Sequence, residues 1–453
     1  MTTQARALRY DTGFTGLGTQ SLVFRATGLL AEHRCSADPK PASKAFLARN
    51  GLMGRHHYDC ISSIGRPRGA QVVCSIGRPR GARVVCSTCP GECAAGPDDR
   101  PDMFAGGFPC QPWSLQRQAC MRDVPPHEHP LYRCLAETIA YLRRVRPRAF
   151  LLENVHGFLA RREYPTGILT GPAFIQSELR QDYHVAGVEL DTIAWVFLAR
   201  PRVWIFGIHK DTGSQAMVTE AAALAAELQA ERARMDREPT ASFCHKPYTP
   251  AWYDAVSQLA RRREPCDPSH GDGGGRAPQW RQQCDAARAV WAERGLAWHD
   301  LHPLRGAMLR GLAGRPRERE LLEVALLTAC EQMGVDPLSS ADLDAAKQDL
   351  YLDVSQNRRW SSLRAEPRML GPVCRQHVVY AYSEDRVLSA EEVWHAMGGM
   401  VDGEPLASFA GTSDADARDL VGECQALPPL ALASWALLVA LGASLPGLWR
   451  PWP

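Results

Sequence analysis

The sequence has almost no net charge. Its 52 lysine and arginine residues nearly balance 50 aspartate and glutamate residues, which leaves a formal charge of +2 over 453 residues. A protein that binds nucleic acid across a broad surface is usually strongly basic. The balance excludes a basic surface over the whole chain, so any contact with phosphates must come from local clusters of arginine, such as Arg261, Arg262 and Arg263.

The first residues contain no apolar run of the kind that starts a secretory signal, although the chain has 15 cysteines. Free thiols in this number are typical of a reducing compartment, so we expect an intracellular protein. Cys86, Cys89 and Cys93 have a spacing that zinc accepts, but no clean second pair follows. We therefore expect no metal.

Long hydrophobic runs are also scarce. Residues 430–449 carry no charge and are long enough to cross a bilayer. Glycine, serine and proline interrupt the second half of this run, at Gly442, Ser444 and Pro446. This favours an apolar helix of the protein core, and we expect no membrane partner.

A cysteine between two prolines is the most informative feature present. Residues 106–114 read Gly-Gly-Phe-Pro-Cys-Gln-Pro-Trp-Ser and follow a short apolar run. A thiolate is the reactive form of cysteine, and the restricted backbone at Pro109 and Pro112 can fix the direction of the Cys110 sulfur. The pattern indicates a nucleophile loop, with an ordinary turn as the alternative.

Two later segments supply polar partners. Residues 149–155 read as a buried strand with Glu153 and Asn154 at its carboxyl end, where open α/β sheets place their chemistry. Residues 195–208 place Arg200 and Arg202 between apolar runs that look like paired strands. Buried arginines need anionic or carbonyl partners.

The order cysteine, Glu-Asn-Val and Arg-x-Arg resembles the cytosine-5 DNA methyltransferase family, and the resemblance covers nearly the whole chain. It implies an α/β fold with a mixed, mostly parallel Rossmann-like sheet flanked by helices and a smaller target-recognition domain. It also implies a first catalytic and cofactor-binding part at residues 1–210, a target-recognition insertion at 211–370 and a closing catalytic part at 371–453.

The resemblance implies S-adenosyl-L-methionine as the cofactor. Residues 14–18 resemble the first family motif, a glycine turn that lets the backbone approach the cofactor closely. Two aspartates stand near the positions that contact its ribose and adenine, and residues near 422 resemble the motif that completes the pocket. The candidate cofactor-binding residues are Phe14, Gly16, Gly18, Asp38, Asp59, Pro109, Gly422 and Glu423.

The family chemistry implies a role for each candidate catalytic residue. Cys110 would add to carbon 6 of cytosine, and Glu153 would stabilise the ring through its nitrogen 3. Arg202 would hold the cytosine carbonyl or nearby backbone, Arg200 would position a phosphate or a loop, and Asn154 would order the loop. The implied partner is double-stranded DNA with a cytosine target, which must rotate out of the stack.

Departures from the family pattern concentrate in the cofactor pocket. Thr12 stands where the first motif usually has aspartate, although Asp11 is adjacent, and Glu423 replaces the usual asparagine. Three functions stay open: an active DNA cytosine-5 methyltransferase, a catalytically inactive DNA-binding or regulatory homologue, and a transfer-RNA cytosine-5 methyltransferase. The Cys-Phe-Thr tripeptide of the transfer-RNA subfamily is absent. No obligatory protein partner is evident, and we expect the nucleus if the source is eukaryotic and otherwise the cytoplasm.

Two local patterns complete the prediction. Helix-favouring composition predicts helices at residues 222–234 and 318–332, and Ser340 is expected to cap another helix through Leu343, Ala346 and Leu350. Residues 63–74 are repeated as residues 75–86 with one change, from Gln71 to Arg83. A recent duplication, tolerated as a loop insertion, explains this repeat.

Overall fold

Apolar runs separated by short polar loops form strands along the first half of the chain. A computed structural model describes residues 6–66, 71–72, 82–83, 86–88, 100–114, 124–196, 198–235, 279–296, 303–304, 306–312, 316–348, 350–355 and 370–442. The strands in these ranges are β1 (Leu8–Gly13), β2 (Ala31–Ala37), β3 (His56–Tyr58), β4 (Gln71–Val72), β5 (Ala82–Arg83), β6 (Met103–Gly106), β7 (Ala149–Val155), β8 (Arg162–Tyr164), β9 (Gly167–Leu169), β10 (Tyr183–Asp191), β11 (Pro201–His209), β12 (Tyr351–Asp353), β13 (Val379–Ala381), β14 (Arg386–Val387), β15 (Met400–Val401) and β16 (Glu404–Pro405).

Helices connect these strands and follow them. They are α1 (Thr19–Ala26), α2 (Pro41–Arg49), α3 (Tyr132–Val145), α4 (Gly171–Leu179), α5 (Gln215–Arg234), α6 (Gln279–Glu293), α7 (Pro316–Met333), α8 (Ser340–Lys347), α9 (Ala390–Ala396), α10 (Asp414–Glu423) and α11 (Leu427–Ala440).

Seven of the described strands form the main sheet, in the order β10-β11-β7-β6-β1-β2-β3. Neighbouring strands from β7 to β3 are parallel, whereas β11 is antiparallel to both β7 and β10. Only β11 is therefore reversed, and the predicted mixed, mostly parallel α/β fold is confirmed. The carboxyl ends of β1, β2, β6 and β7 meet at one edge, where such sheets bind ligands.

Hydrophobic clusters cover both faces of the sheet. One cluster joins Leu22 of α1, Ala225 of α5 and Leu437 of α11 to the sheet residue Leu151. The other joins residues of α3 and α4 to the opposite face of the sheet. Helix α11 lies almost wholly within the first cluster, which explains the apolar sequence from residue 427 onwards.

The described residues contain eleven α-helices. Among them no single helix has the length and apolar character of a membrane span. Helices α10 and α11 reach the length and apolar composition of a membrane span only when they are taken together, and the chain bends by 41° at the break between them.

Helix α5 lies on the main sheet although its residues fall in the predicted insertion. It packs against β10 and α11, and its buried residues include Val218, Ala222 and Ala225. The sheet-bearing unit thus continues through Arg234. The remainder of the division at residues 210 and 370 stays a prediction.

The described part of the insertion has a core of its own. Helices α6, α7 and α8 pack together, and a small sheet in the order β12-β13-β14 adjoins them. The expected cap at Ser340 was wrong: the Ser339 side chain accepts the hydrogen bond from the Asp342 amide at 3.3 Å. This helix ends at Lys347, before Leu350, because the next residue, Gln348, is extended.

The two copies of the repeat pair with each other through β4 and β5. These strands are antiparallel, and Gln71 lies directly opposite Arg83. The one position that differs between the copies is therefore a cross-strand pair.

The apolar run before the paired arginines is not a strand, contrary to the prediction. The Asp191 carboxylate accepts hydrogen bonds from the amides of Ile193 at 3.2 Å and Arg200 at 2.8 Å. These bonds fold the intervening chain into a loop that starts with a 3₁₀ turn at Thr192–Ala194. Phe197 lies outside the described residues.

Candidate active site

Cys110 lies in a tight turn after β6, at the carboxyl edge of the sheet. Its carbonyl oxygen accepts hydrogen bonds from the amides of Trp113 at 2.9 Å and Ser114 at 3.0 Å. The side chain is partly buried, and the preceding Pro109 is also partly buried. The turn thus begins where the sequence predicted a restricted backbone.

Asn154 ties this loop to the end of β7. Its side-chain nitrogen donates a 3.0 Å hydrogen bond to the carbonyl oxygen of Phe108, and its oxygen accepts the Val155 amide at 2.9 Å. Asn154 is buried. A buried side chain with both functions used gives the loop before Cys110 a defined position.

Glu153 forms an ion pair with Arg202, with 2.9 Å between Oε1 and Nε. In the register of β7 and β11, Glu153 lies opposite Trp204 and Val155 lies opposite Arg202. The Glu153 and Arg202 side chains therefore lie on the same face of these adjacent antiparallel strands. Burial raises the pKa of Glu153, and the Arg202 and Arg200 guanidinium groups oppose that rise. A carboxyl group in this setting can hold or share a proton nearer neutral pH than an exposed one.

The acid lies against the nucleophile loop. A Cβ atom built on Gly107 would be 2.9 Å from Glu153 Oε2 and 3.3 Å from the side-chain nitrogen of Gln425. Only glycine allows this approach without displacing the carboxylate.

The same charges act on Cys110. Burial raises the pKa of its thiol, Arg202 lowers it, and Glu153 raises it again. The thiol is therefore mostly protonated at neutral pH in this state, and its reactivity depends on how strongly nearby cations stabilise the thiolate.

Arg200 binds backbone rather than facing solvent. It is 3% exposed, and it donates to the carbonyl oxygens of Val373 at 2.8 Å, Gly422 at 3.2 Å and Cys424 at 2.9 Å. Burial lowers the pKa of Arg200 to about 10. Of the two roles expected for this residue, loop positioning fits this geometry and phosphate contact does not.

The first glycine motif forms a turn between β1 and α1. Phe14, Gly16 and Gly18 have φ angles of 55°, 52° and 71°, in the left-handed region. A Cβ on Gly18 would lie 2.7 Å from Leu47, whereas the nearest atom to a Cβ on Gly16 would be the Phe14 oxygen at 4.0 Å. The turn therefore packs closely at Gly18 and borders open space at Gly16.

Asp38 shapes this turn from the end of β2. Its carboxylate accepts the Gly16 amide at 2.8 Å and the Lys40 amide at 2.9 Å. Burial raises the pKa of Asp38, and the two amides oppose the rise. Asp38 lies beside the glycine turn, as expected, but part of its hydrogen-bonding capacity is already used.

The other acids of the expected pocket are paired with cations of the chain. Asp59 forms an ion pair with Lys44 of α2. Glu423, at the end of α10, pairs with Lys40 and with Arg375, the latter at 3.0 Å. The Lys40–Glu423 pair joins the residue before α2 to the closing part of the chain.

Gly422 fits tightly next to these pairs. A Cβ at this position would be 2.4 Å from the Cys374 carbonyl oxygen. A glycine is required there because the opposing atoms belong to the backbone.

Asp11 does not replace the aspartate expected at Thr12. Its buried carboxylate pairs with Arg34 at 3.1 Å and accepts a 2.7 Å hydrogen bond from the Tyr141 hydroxyl. Thr12 instead contacts Thr15 at 3.0 Å and His33 at 2.9 Å. Adjacent residues of a strand point to opposite faces, so Asp11 cannot reach the partners of Thr12.

Sequence reasoning missed Gln425 and Tyr164. The Gln425 side-chain oxygen accepts from the Thr19 hydroxyl at 3.3 Å, and its nitrogen lies near Gly107. Tyr164 accepts a hydrogen bond from Trp113 in the nucleophile loop. Neither residue belongs to a recognised motif; the position of Gln425 three residues after Gly422 was the one available signal.

The considered zinc site and the arginine clusters include residues outside the described ranges. Cys89, Cys93 and the arginines at 261–263 lie outside the described residues. Within the residues whose positions are described, there is no group of three or more histidine, cysteine, aspartate or glutamate side chains suited to a metal ion.

Part of the chain matches a known protein family. Residues 94–244 match the model of the C-5 cytosine-specific DNA methylase family. The chain is 31% identical over 113 residues to the Type II methyltransferase M.HgiCII of Herpetosiphon aurantiacus, a match that covers 25% of this chain and 24% of that protein. The chain thus spans about a quarter of the length of this curated relative.

Two solved methyltransferase structures match the chain at low sequence identity. The S. pombe Dnmt2 methyltransferase matches with a TM-score of 0.44 and 13% identity, over 96% of this chain and 99% of that one. The Entamoeba histolytica methyltransferase EhMeth matches with a TM-score of 0.43 and 10% identity, over the same shares of the two chains. The segment that matches the model of the C-5 cytosine-specific DNA methylase family carries Cys110, Glu153 and Arg202.

Proposed function

We propose that the protein transfers a methyl group from S-adenosyl-L-methionine to carbon 5 of a cytosine in double-stranded DNA. The observation that carries the proposal is the arrangement of Cys110, Glu153 and Arg202. The acid and the arginine form a 2.9 Å pair, and the acid lies against the loop of the cysteine. A nucleophile, a proton-sharing acid and a cation at one sheet edge suit addition to an electron-poor ring.

Each of these side chains has a defined task in the proposed reaction. The Cys110 thiolate forms a bond to carbon 6 of the cytosine, which makes carbon 5 nucleophilic. Glu153 shares a proton with ring nitrogen 3, so that charge does not accumulate on the ring. Arg202 stabilises both the thiolate and the Glu153 carboxylate, because its charge lowers the pKa of each group.

Residues outside the reacting set hold this arrangement. Asn154 anchors the loop at Phe108, and Arg200 binds the carbonyl oxygens of the closing segment. After methylation, loss of the carbon 5 proton to a base and cleavage of the carbon–sulfur bond return the cysteine and restore the aromatic ring.

The turn at Phe14–Gly18 fits the cofactor. Open space borders Gly16, and the Asp38 carboxylate holds the amide of that glycine. Asp59, Gly422 and Glu423 would line the pocket with these residues. When bound, S-adenosyl-L-methionine supplies an electrophilic methyl group.

Covalent trapping tests the proposal. The protein is incubated with S-adenosyl-L-methionine and duplex DNA that contains 5-fluorocytosine, with matching RNA in parallel, and denaturing electrophoresis detects the adduct. Fluorine at carbon 5 prevents the final elimination, so an adduct accumulates. We expect an adduct on DNA and none on RNA.

Two variants make the test specific. Cys110→Ser should give no adduct, since a serine hydroxyl ionises far less readily than a thiol and lacks the sulfur nucleophile. Cys330→Ser, at a buried position of α7 in the separate hydrophobic cluster of the insertion, should retain the adduct. An adduct on RNA alone would identify an RNA enzyme, and an adduct that persists in Cys110→Ser would reject the proposed nucleophile.

An inactive DNA-binding homologue is the second candidate. It is favoured by the cations Lys40, Lys44 and Arg375, which already pair with acids around the expected cofactor pocket. This function predicts DNA binding without measurable binding of S-adenosyl-L-methionine. Isothermal titration with cofactor alone separates the two functions before any activity assay.

A further inference from the structure

We propose that Tyr164 is a positioning residue for the Cys110 thiol, acting through Trp113. The inference rests on the proposed function of Cys110. Tyr164 belongs to the β8–β9 hairpin, and this hairpin is part of none of the motifs discussed above. The proposal assigns it a role in the reaction that its place in the sequence does not indicate.

The link between hairpin and loop is a buried hydrogen bond. Trp113 Nε1 donates to the Tyr164 hydroxyl at 2.9 Å, and both residues are buried. Trp113 is also tied directly to the nucleophile, because its amide donates to the Cys110 carbonyl oxygen at 2.9 Å. A displacement of the indole therefore displaces the backbone of Cys110.

Aromatic packing restricts the indole further. The ring centroids of Trp113 and Phe158 are 4.9 Å apart, with an edge-to-face angle of 87°. Phe108 contacts both rings, and Tyr164 stacks on Phe174 of α4 at 4.5 Å. The Tyr164 hydroxyl thus projects from a ring that is itself fixed, and such a ring is a rigid acceptor for the indole.

The nucleophile loop is consequently held on both sides of the cysteine. Asn154 binds the carbonyl oxygen of Phe108 before it, and Tyr164 binds the side chain of Trp113 after it. Addition of sulfur to a ring carbon requires precise placement of the sulfur, and small displacements are costly in rate. Hydrogen bonds on both sides of Cys110 can fix the position of its sulfur, whereas a single bond would allow the turn to rotate about that contact.

The test compares Tyr164→Phe with Tyr183→Phe. Tyr183 is equally buried, and its hydroxyl donates to the carbonyl oxygens of Pro147 at 2.9 Å and Leu142 at 3.3 Å. It serves as a matched control because its buried hydroxyl bonds α3 and the segment before β7 rather than the nucleophile loop. Thermal unfolding of both variants measures the shared structural cost.

Two readouts distinguish positioning from general destabilisation. Steady-state methylation should show kcat lowered about 10- to 100-fold in Tyr164→Phe, with KM for DNA and cofactor unchanged. Alkylation of Cys110 by iodoacetamide, followed by mass spectrometry of its peptide, should become several-fold faster because the loop opens more often. Tyr183→Phe should match the wild type in both measurements.

A double-variant cycle tests the path through Trp113. If Tyr164 acts through the indole, Trp113→Phe should lower kcat, and adding Tyr164→Phe should cause no further loss. Additive losses would reject this path. The proposal would be overturned if Tyr164→Phe and Tyr183→Phe had the same kcat and the same rate of Cys110 alkylation. It would also be overturned if Tyr164→Phe lowered kcat but left the alkylation rate unchanged.

The alkylation measurement does not depend on methyl transfer. If the wild type forms no adduct with fluorinated DNA, the proposed function fails, while faster alkylation in Tyr164→Phe would still support the positioning of Cys110. If the adduct forms and alkylation is unchanged, the function stands and the role of Tyr164 is rejected.

Discussion

Glu153 and Arg202 form a diagonal pair across the antiparallel strands β7 and β11, with carboxylate and guanidinium 2.9 Å apart. The pair is oriented by sheet geometry: Glu153 lies opposite Trp204, and Arg202, two residues from Trp204 on the same strand, points to the same face. The charges of both residues also shift the pKa of the Cys110 thiol. The reactivity of the thiol is therefore coupled to an ion pair that comes from two other segments of the chain.

Replacement of Arg202 should move the pH dependence of Cys110 upwards. In Arg202→Met the cation that lowers the thiol pKa is lost, so the thiolate forms only at higher pH. Alkylation rates of Cys110 measured against pH should show a higher midpoint than the wild type. Arg319→Met is the control, since Arg319 pairs with Glu323 on α7. A midpoint that is unchanged or lower would contradict the arrangement.

Replacement of Asn154 should release the loop before Cys110. Asn154→Ala leaves the Phe108 carbonyl oxygen without its 3.0 Å donor, which costs about 1–3 kcal/mol if that oxygen stays buried. We expect adduct formation to slow about 10- to 100-fold, measured by quenched time courses. Asn50→Ala is the control because the Asn50 side chain donates to the backbone oxygens of Phe46 and Ser408. Equal losses in the two variants would count against a role for Asn154.

Replacement of Asp38 should weaken cofactor binding. Asp38→Ala removes the acceptor of the Gly16 and Lys40 amides and loosens the turn next to open space. We expect the Kd of S-adenosyl-L-methionine to rise about tenfold, equivalent to ~1.4 kcal/mol, in isothermal titration. Asp344→Ala, on the exposed side of α8, should bind like the wild type. An unchanged Kd in Asp38→Ala would remove this residue from the pocket.

Replacement of Asp11 should affect stability. Asp11→Ala leaves the buried Arg34 guanidinium without its carboxylate, so the free energy of unfolding should fall by about 3–5 kcal/mol. Urea unfolding measures this change. Glu231→Ala breaks an exposed pair with Arg234 and should change the free energy by less than about 0.5 kcal/mol. A small effect in Asp11→Ala would mean that Arg34 finds another partner.

The fold class and the strand nature of residues 149–155 could be predicted because they depend on local composition. A run of apolar residues that ends in polar ones is typical of a buried parallel strand, and the structure has that strand at Ala149–Val155. The prediction of a strand from residue 195 was wrong because burial of this run depends on long-range packing and not on local composition. Its apolar residues are buried in a loop, which the Asp191 carboxylate closes through the Arg200 amide.

The sequence by itself determined which reactive groups the chain has and their order, because the thiol, carboxyl and guanidinium groups follow directly from the residue identities. It also determined where the backbone is restricted, at the prolines around Cys110 and the glycines from Gly16 onwards.

The tertiary structure alone decided which groups meet. Arg200 binds carbonyl oxygens 173 and 224 residues further along the chain, at Val373 and Cys424. Asp11 and Thr12 are adjacent in sequence yet serve opposite faces of the sheet, and Tyr164 reaches the nucleophile loop only through the packing of Trp113. Such contacts depend on register and on long-range packing, which no local pattern of residues specifies.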